Sequence, residues 1–148
     1  MGAAPLSSSG RRDAMPVHSL TVCEWRERRK KDSVLNNPGW SDIEVAIRNL
    51  DNDCFNDIHL HRDEDSECFW LSVGGGAGRY LITGSSPDGF PTVVDQTRSG
   101  LPDEILCVGG QHGYFPARWI HPIEVALRAT RSFFETGEFA GRLEWEIA

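Results

Sequence analysis

The amino-acid sequence predicts a single α+β domain, a mainly antiparallel sheet of five to seven strands with two helices packed on it. Three observations lead there. The 148 residues are the usual length of one domain and suffice to bury a core without disulfide or metal staples. Most apolar residues fall in short alternating or continuous runs bounded by glycine, proline, asparagine and aspartate, the pattern of strands and turns. Two segments carry apolar residues at helical spacing instead. No internal repeat is present.

Residues 1–16 are small, polar and proline-bounded, and are expected to be a disordered leader lacking the apolar stretch of a secretion signal. That leaves 17–148 as the folded domain. Val17–Trp25 alternates and is expected to be the first strand, followed by the basic run Arg26–Lys31 as a solvated loop or strand end. Asn36-Asn37-Pro38-Gly39 is turn chemistry. Ser41 with Glu44 three residues on makes a capping box, flanked by a Trp40–Val45 staple. Ile43, Ile47 and Leu50 give this first helix one apolar face, and its end is expected near Asp51–Asp53.

Ile58–Arg62 and Cys68–Val73 read as a hairpin around the polar turn Asp63–Ser66. The second strand is apolar on both faces and is expected to be central. Gly74-Gly75-Gly76 should break it, Arg79–Thr83 should resume as a strand, and Pro91–Asp95 should be a short edge-like strand after the Pro87-Asp88-Gly89 turn. Glu104–Val108 is a further strand ended by Gly109-Gly110. Tyr114–Ile120 contains Pro116 and is expected to be irregular or at an edge. Pro122 suits the first position of a second helix, with Ile123, Ala126, Leu127, Thr130, Phe133 and Phe134 as its stripe and Gly137 as its stop. The last strand, Leu143–Ile147, alternates Leu143, Trp145 and Ile147 inward with Glu144 and Glu146 outward.

Charge is unevenly spread. The chain carries a net −7, yet residues 1–31 hold seven basic against three acidic residues, and residues 32–148 hold eight basic against nineteen acidic. A nucleic-acid binder needs a basic footprint to displace counterions, so the acidic body argues against direct nucleic-acid binding and suits a basic protein partner. The four cysteines, Cys23, Cys54, Cys68 and Cys107, form no CxxC pair and read as free thiols in a reducing cytoplasm. No run approaches the ~20 apolar residues of a membrane span.

Catalytic and metal chemistry find little support in the spacing. Gly74-Gly75-Gly76-Ala77-Gly78-Arg79 lacks the Gly-Lys-Ser/Thr of a phosphate loop and leads into a strand, where an anion cradle needs a helix N-terminus. His59 and His61 lie two apart on one strand and share a face, but two ligands fall short of a zinc site, which His112 or a cysteine would have to complete. No Gly-x-Ser-x-Gly element is present, and Cys107 sits between apolar residues mid-strand. The expectation is a protein that is not an enzyme and needs no metal or other cofactor. More specific is Gly109-Gly110-Gln111-His112-Gly113-Tyr114-Phe115-Pro116-Ala117-Arg118, where glycines present aromatic and charged residues of the types enriched at binding hot spots.

Four elements carry a resemblance. They are Trp40-Ser41-Asp42-Ile43-Glu44-x-Ala46-Ile47; Val73-Gly74-Gly75-Gly76-x-Gly78-Arg79-Tyr80; Val108-Gly109-Gly110-Gln111 leading to Phe115-Pro116-Ala117-Arg118; and Glu124-x-Ala126-Leu127-Arg128-Ala129 with Phe133, Thr136-Gly137 and Leu143-Glu144-Trp145-Glu146. In this order, over roughly residues 18–147, the chain resembles the immunity protein family numbered first among those of bacterial polymorphic toxin systems. The resemblance implies a cytoplasmic α+β protein encoded beside a toxin, often a nucleic-acid deaminase, that binds the toxin tightly and blocks it; the expectation is stoichiometric masking of the toxin's active site by a monomer or weak homodimer. It fixes no motif position as a toxin contact. From the residues themselves the candidate contacts are Asp63, Glu64, Asp65, Gln111, His112 and Tyr114, while Arg79 and Arg118 serve equally well as structural struts. The rival expectation is a small-molecule-binding or catalytic α+β domain using the sheet face with His59 and His61.

Overall fold

A computed structural model describes residues 16–62 and 69–148. Strands β1 (Ser19–Arg26) and β2 (Arg29–Asn36) form a hairpin whose turn residues, Glu27 and Arg28, both have positive φ. Helix α1 (Trp40–Arg48) follows, then β3 (Phe55–His61), β4 (Trp70–Gly76), β5 (Arg79–Ser85) and β6 (Pro91–Val93). A second ribbon is made by β7 (Glu104–Val108) and β8 (Gln111–Phe115). The chain ends with β9 (Ile120–His121), helix α2 (Ile123–Thr136) and β10 (Trp145–Ile147).

Among the described residues the main sheet has eight strands, all pairing antiparallel, in the order β10-β6-β5-β4-β3-β1-β2, with β9 pairing β5 off that path. The fold is α+β as expected, and the strand count exceeds the expected five to seven. The extra strands have a physical reason to be overlooked. β2 is exposed at every position and so has no apolar period, and β9 is two residues long. The Arg26–Lys31 run is therefore a hairpin turn entering a strand.

Both helices pack on one face of the sheet. Leu20 of β1, Ile58 and Leu60 of β3, Leu71 and Val73 of β4, Tyr80 and Ile82 of β5 and Val93 of β6 meet Ile43, Ala46 and Ile47 of α1 and Ala126, Ala129, Phe133 and Phe134 of α2. The alternation of side chains across a strand selects these residues and sends their neighbours to the opposite face. α2 runs as its stripe predicts and stops at Gly137, in the left-handed conformation at φ 75°, where the Gly137 N–H closes onto the Phe133 carbonyl at 2.8 Å.

Several local expectations are corrected. α1 begins at Trp40, so Gly39 takes the cap position, and the Asp42 carboxylate accepts from the Gly39 N–H at 2.8 Å in place of the expected Ser41–Glu44 box. Trp40 packs on Phe134 with ring centroids 6.0 Å apart, and Val45 is exposed, so the expected staple is replaced by a helix–helix contact. The helix ends at Arg48, short of Asp51–Asp53, because Asp51 bridges to Gly76 and its carboxylate accepts from the Asp53 and Phe55 N–H groups. Gly74-Gly75-Gly76 continues β4 instead of breaking it, and the chain turns at Ala77-Gly78, both at positive φ. β6 lies between β5 and β10 and is not an edge. Tyr114–Ile120 is irregular as expected, with a 3-10 turn over Ala117–Trp119 after Pro116, although Tyr114 and Phe115 complete the regular strand Gln111–Phe115. Ile147 is exposed, so the terminal alternation holds inward only for Leu143 and Trp145. Of the expected leader 1–16 all but Pro16 lies outside the described residues, as does the turn over 63–66.

Candidate interaction surface

The two glycine-rich segments meet. The β7–β8 ribbon crosses the sheet face opposite the helices and sits on the end of β4. A Cβ at Gly74 would lie 2.7 Å from the Val108 side chain, and one at Gly75 would lie 2.5 Å from the Arg79 carbonyl oxygen and 3.4 Å from Leu106. Gly110 lies against the Trp25 ring, 2.6 Å from where its Cβ would stand. Leu81, Leu106 and Ile120, with Val108, Phe115 and Trp119, form a small second core beneath the ribbon. The glycines are absent side chains that let two sheets touch.

Polar struts fix the same contact. The Asn52 side-chain oxygen accepts from the Cys107 N–H at 2.7 Å. Buried Asn56 accepts from the Gly110 N–H at 3.0 Å and donates its amide to the Asp53 carbonyl at 2.6 Å. Glu104, at the start of β7, pairs with Arg79 at 3.2 Å and with Arg98, which also donates to the Ile120 carbonyl at 3.2 Å. Arg118 donates through Nε and Nη2 to Glu146 at 3.2 and 3.1 Å, and Trp119 Nε1 donates to the same carboxylate at 3.2 Å. The Arg118 hydrogen bond holds the Glu146 carboxyl below its ordinary range. Arg79 and Arg118 are thus struts. Asn52, Asn56 and Glu104 belong to no sequence motif.

The ribbon's inward row leaves an outward row. Ile105 pairs with Tyr114 and Cys107 with His112, on the side away from Leu106, Val108 and Phe115. Tyr114 is 74% exposed, and Ile105 and His112 are exposed beside it. Gln111 is also exposed, at the ribbon's turn, but has the opposite parity. So three of the six candidate contacts, Gln111, His112 and Tyr114, lie together on β8, while Asp63, Glu64 and Asp65 lie outside the described residues. Exposed Asp51 and Asp53 flank the ribbon. Burial pushes the Cys107 thiol up, and the charges of Asp53, Asp57 and Asp51 add to that push. The negative field of the sequence is therefore present at this ribbon.

The face bearing the histidines lies next to it. His59 and His61 share a side as their spacing predicts, with ring centroids 6.3 Å apart, and the edge of Trp70 approaches His59 at 6.1 Å. Both are half-buried. His59 Nε2 meets the Asp57 carboxylate at 2.8 Å, and Cys23 stands opposite Asp57 across the β1–β3 pairing. Burial lowers His61, assisted by the neighbouring His59. Burial also pushes the Cys23 thiol up to about 12, with Asp57 and Asp32 adding to it, so this thiol is no activated nucleophile. A third feature, an apolar trough of about 400 Å³ between α1 and the β1–β2 hairpin, lies on the helix side, away from the ribbon.

No helix among the described residues is long and apolar enough to cross a membrane. The family model described as Immunity protein Imm1 matches residues 32–146, more than three quarters of the chain and every element from α1 to β9 and α2. No curated protein matches the chain.

Proposed function

The chain belongs to the Immunity protein Imm1 family, and from that premise we propose that it neutralises a cognate toxin domain, a nucleic-acid deaminase, by docking the β7–β8 ribbon over the toxin's active site. The family implies toxin neutralisation through binding of a protein partner. The deaminase and the masking are our reading. The observation that carries the docking surface is the outward row of the ribbon: Tyr114, His112 and Ile105 stand exposed on a strand pair whose inward row is packed and whose backbone is hydrogen-bonded to Asn52 and Asn56. A large aromatic on a fixed support costs little entropy to order on binding, which is the profile of a hot spot.

Charge supports the class of partner. A deaminase that acts on nucleic acid presents a basic channel to phosphates. Asp51 and Asp53 at the ribbon, on a body with nineteen acidic against eight basic residues from 32 onward, match such a channel and accelerate encounter. Co-expression with the toxin gene neighbouring this one tests the reading. Cells survive, the two proteins co-elute in a one-to-one complex, and association slows as salt rises. Loss of rescue, or a complex formed while toxin activity persists, overturns masking.

A further inference from the structure

The geometry points to a transition-metal site on the open sheet face, with Cys23, Asp57 and His59 as protein ligands for a zinc-like divalent ion. Cys23 Sγ, an Asp57 carboxylate oxygen and a His59 ring nitrogen all lie within 4.8 Å of one another. In a tetrahedral zinc site the bond lengths of ~2.0–2.3 Å place ligand atoms about 3.3–3.8 Å apart. The three groups therefore reach one ion with rotamer adjustments of about 1 Å. The ligand atoms come from facing positions of two paired strands. Cys23 and Asp57 are register partners, and His59 follows Asp57 on the same face.

An independent observation shows that the cluster is incomplete as a hydrogen-bonded network. Asp57 is 5% exposed, and its Oδ1 has no hydrogen-bond partner among the described residues. A buried carboxylate with an unmatched oxygen is costly unless a cation or donor meets it. The neighbouring side chains do not meet that need. Asp32, opposite Cys23 on β2, is itself acidic, and it accepts from the Cys23 thiol besides pairing with Lys30 at 3.5 Å. His59 already serves the other oxygen, Oδ2, at 2.8 Å. The donor set of thiolate, imidazole and carboxylate selects a borderline-soft ion of the zinc type over magnesium or calcium. His59 has a side-chain exposure of 31%, so ions reach the site from solvent and the fourth position is left to water. Binding converts the Cys23 thiol to a thiolate and releases one proton to solvent.

The site has a structural effect as well. Cys23 lies on β1, outside the matched residues 32–146, and the ion would pin that strand to β3. This inference does not depend on the toxin reading. Titration of the reduced full chain with Co²⁺ and then Zn²⁺ tests it. We expect one ion per chain, a thiolate-to-cobalt charge-transfer absorption displaced by Zn²⁺, and a higher Tm with Zn²⁺ present. Cys23→Ser removes the absorption. His59→Ala weakens Zn²⁺ binding at least about tenfold and removes the Tm gain. Cys54→Ser takes up Zn²⁺ as wild type does. His59 is half-exposed, so His59→Ala keeps its fold by circular dichroism even if Cys23→Ser does not. No stoichiometric uptake, or uptake unaltered in His59→Ala, overturns the site.

Discussion

Alanine at Gly76 and at Gly78 gives the sharpest test of what the glycine-rich segment is for. At Gly76 a methyl group would stand 2.5 Å from the Leu50 carbonyl oxygen and 2.6 Å from the Asp51 nitrogen. Those are backbone atoms of the connection between α1 and β3, and they cannot rotate away. The φ of 129° adds strain of about 1–3 kcal/mol for an L-residue. Forcing the methyl into packed backbone adds roughly another 1–3 kcal/mol. Gly78, two residues on in the turn, has a φ of 93° and open space around its Cβ position, so only the strain applies. The expected order is therefore Gly76→Ala below Gly78→Ala below wild type, with the two variants separated by about 1–3 kcal/mol. Against a total stability of ~5–15 kcal/mol the larger loss is readily measured. Urea unfolding followed by circular dichroism reads it as a midpoint shift at unchanged slope. Equal losses in the two variants would refute the close-approach argument. So would loss of toxin affinity at unchanged stability, since that is the behaviour of a ligand loop.

The other predictions concern separate parts of the molecule. Tyr114→Ala changes folding stability by under about 0.5 kcal/mol, because the side chain is exposed, yet weakens the toxin complex by about 2 kcal/mol or more in calorimetry. His112→Ala acts in the same direction. Arg118→Ala releases Glu146 and Trp119 and is read by faster amide exchange in Trp145–Ile147, with the β3–β4 amides unaffected. Burial lowers both His61 and His121 below their ordinary value. The unfolded chain therefore binds more protons as pH falls through about 6.5, and stability drops below that pH. His121→Gln, which retains a donor for the Val93 carbonyl, shows a smaller fall in Tm between pH 7 and 5 than wild type.

Elements with their own periodicity were legible in the sequence. α2 shows its stripe and its Gly137 stop, with Pro122 at the cap instead of the first helical position, and the paired strands β3 and β4 show their apolar runs. The shared side of His59 and His61 follows from a spacing of two. β2 was illegible because an edge strand exposed on both sides has no apolar period, and its turn uses Glu27-Arg28 where Asn-Gly or Asp-Gly would have signalled a hairpin. The same physics hid β4's full length, since its last three residues are glycines with no side chains to alternate.

The site was legible in composition and not in arrangement. The β8 residues stood out by type, but nothing local says that β7–β8 leaves the main sheet and crosses it. That placement depends on Val108 filling the space above Gly74 and on Asn52 and Asn56 reaching residues 55 and 54 positions away. Likewise Cys23 meets Asp57 only because β3 returns beside β1 after α1, a pairing between strands distant in sequence.

Because the ribbon is fastened through its own backbone, its inward row and buried Cys107, the exposed residues of its outward row, Ile105, His112 and Tyr114, carry little of the fold's stability. Cys107 and Gly110 are gripped at their N–H groups, which every residue but proline offers. Substitutions at 105, 112 and 114 therefore do not need compensating changes in the core, whereas a change at Leu106 or Val108 does. Partner preference and thermodynamic integrity can drift separately in such a protein. A lineage facing a changing toxin can rewrite the contact row residue by residue while Gly74, Gly76 and the two asparagines hold the frame constant.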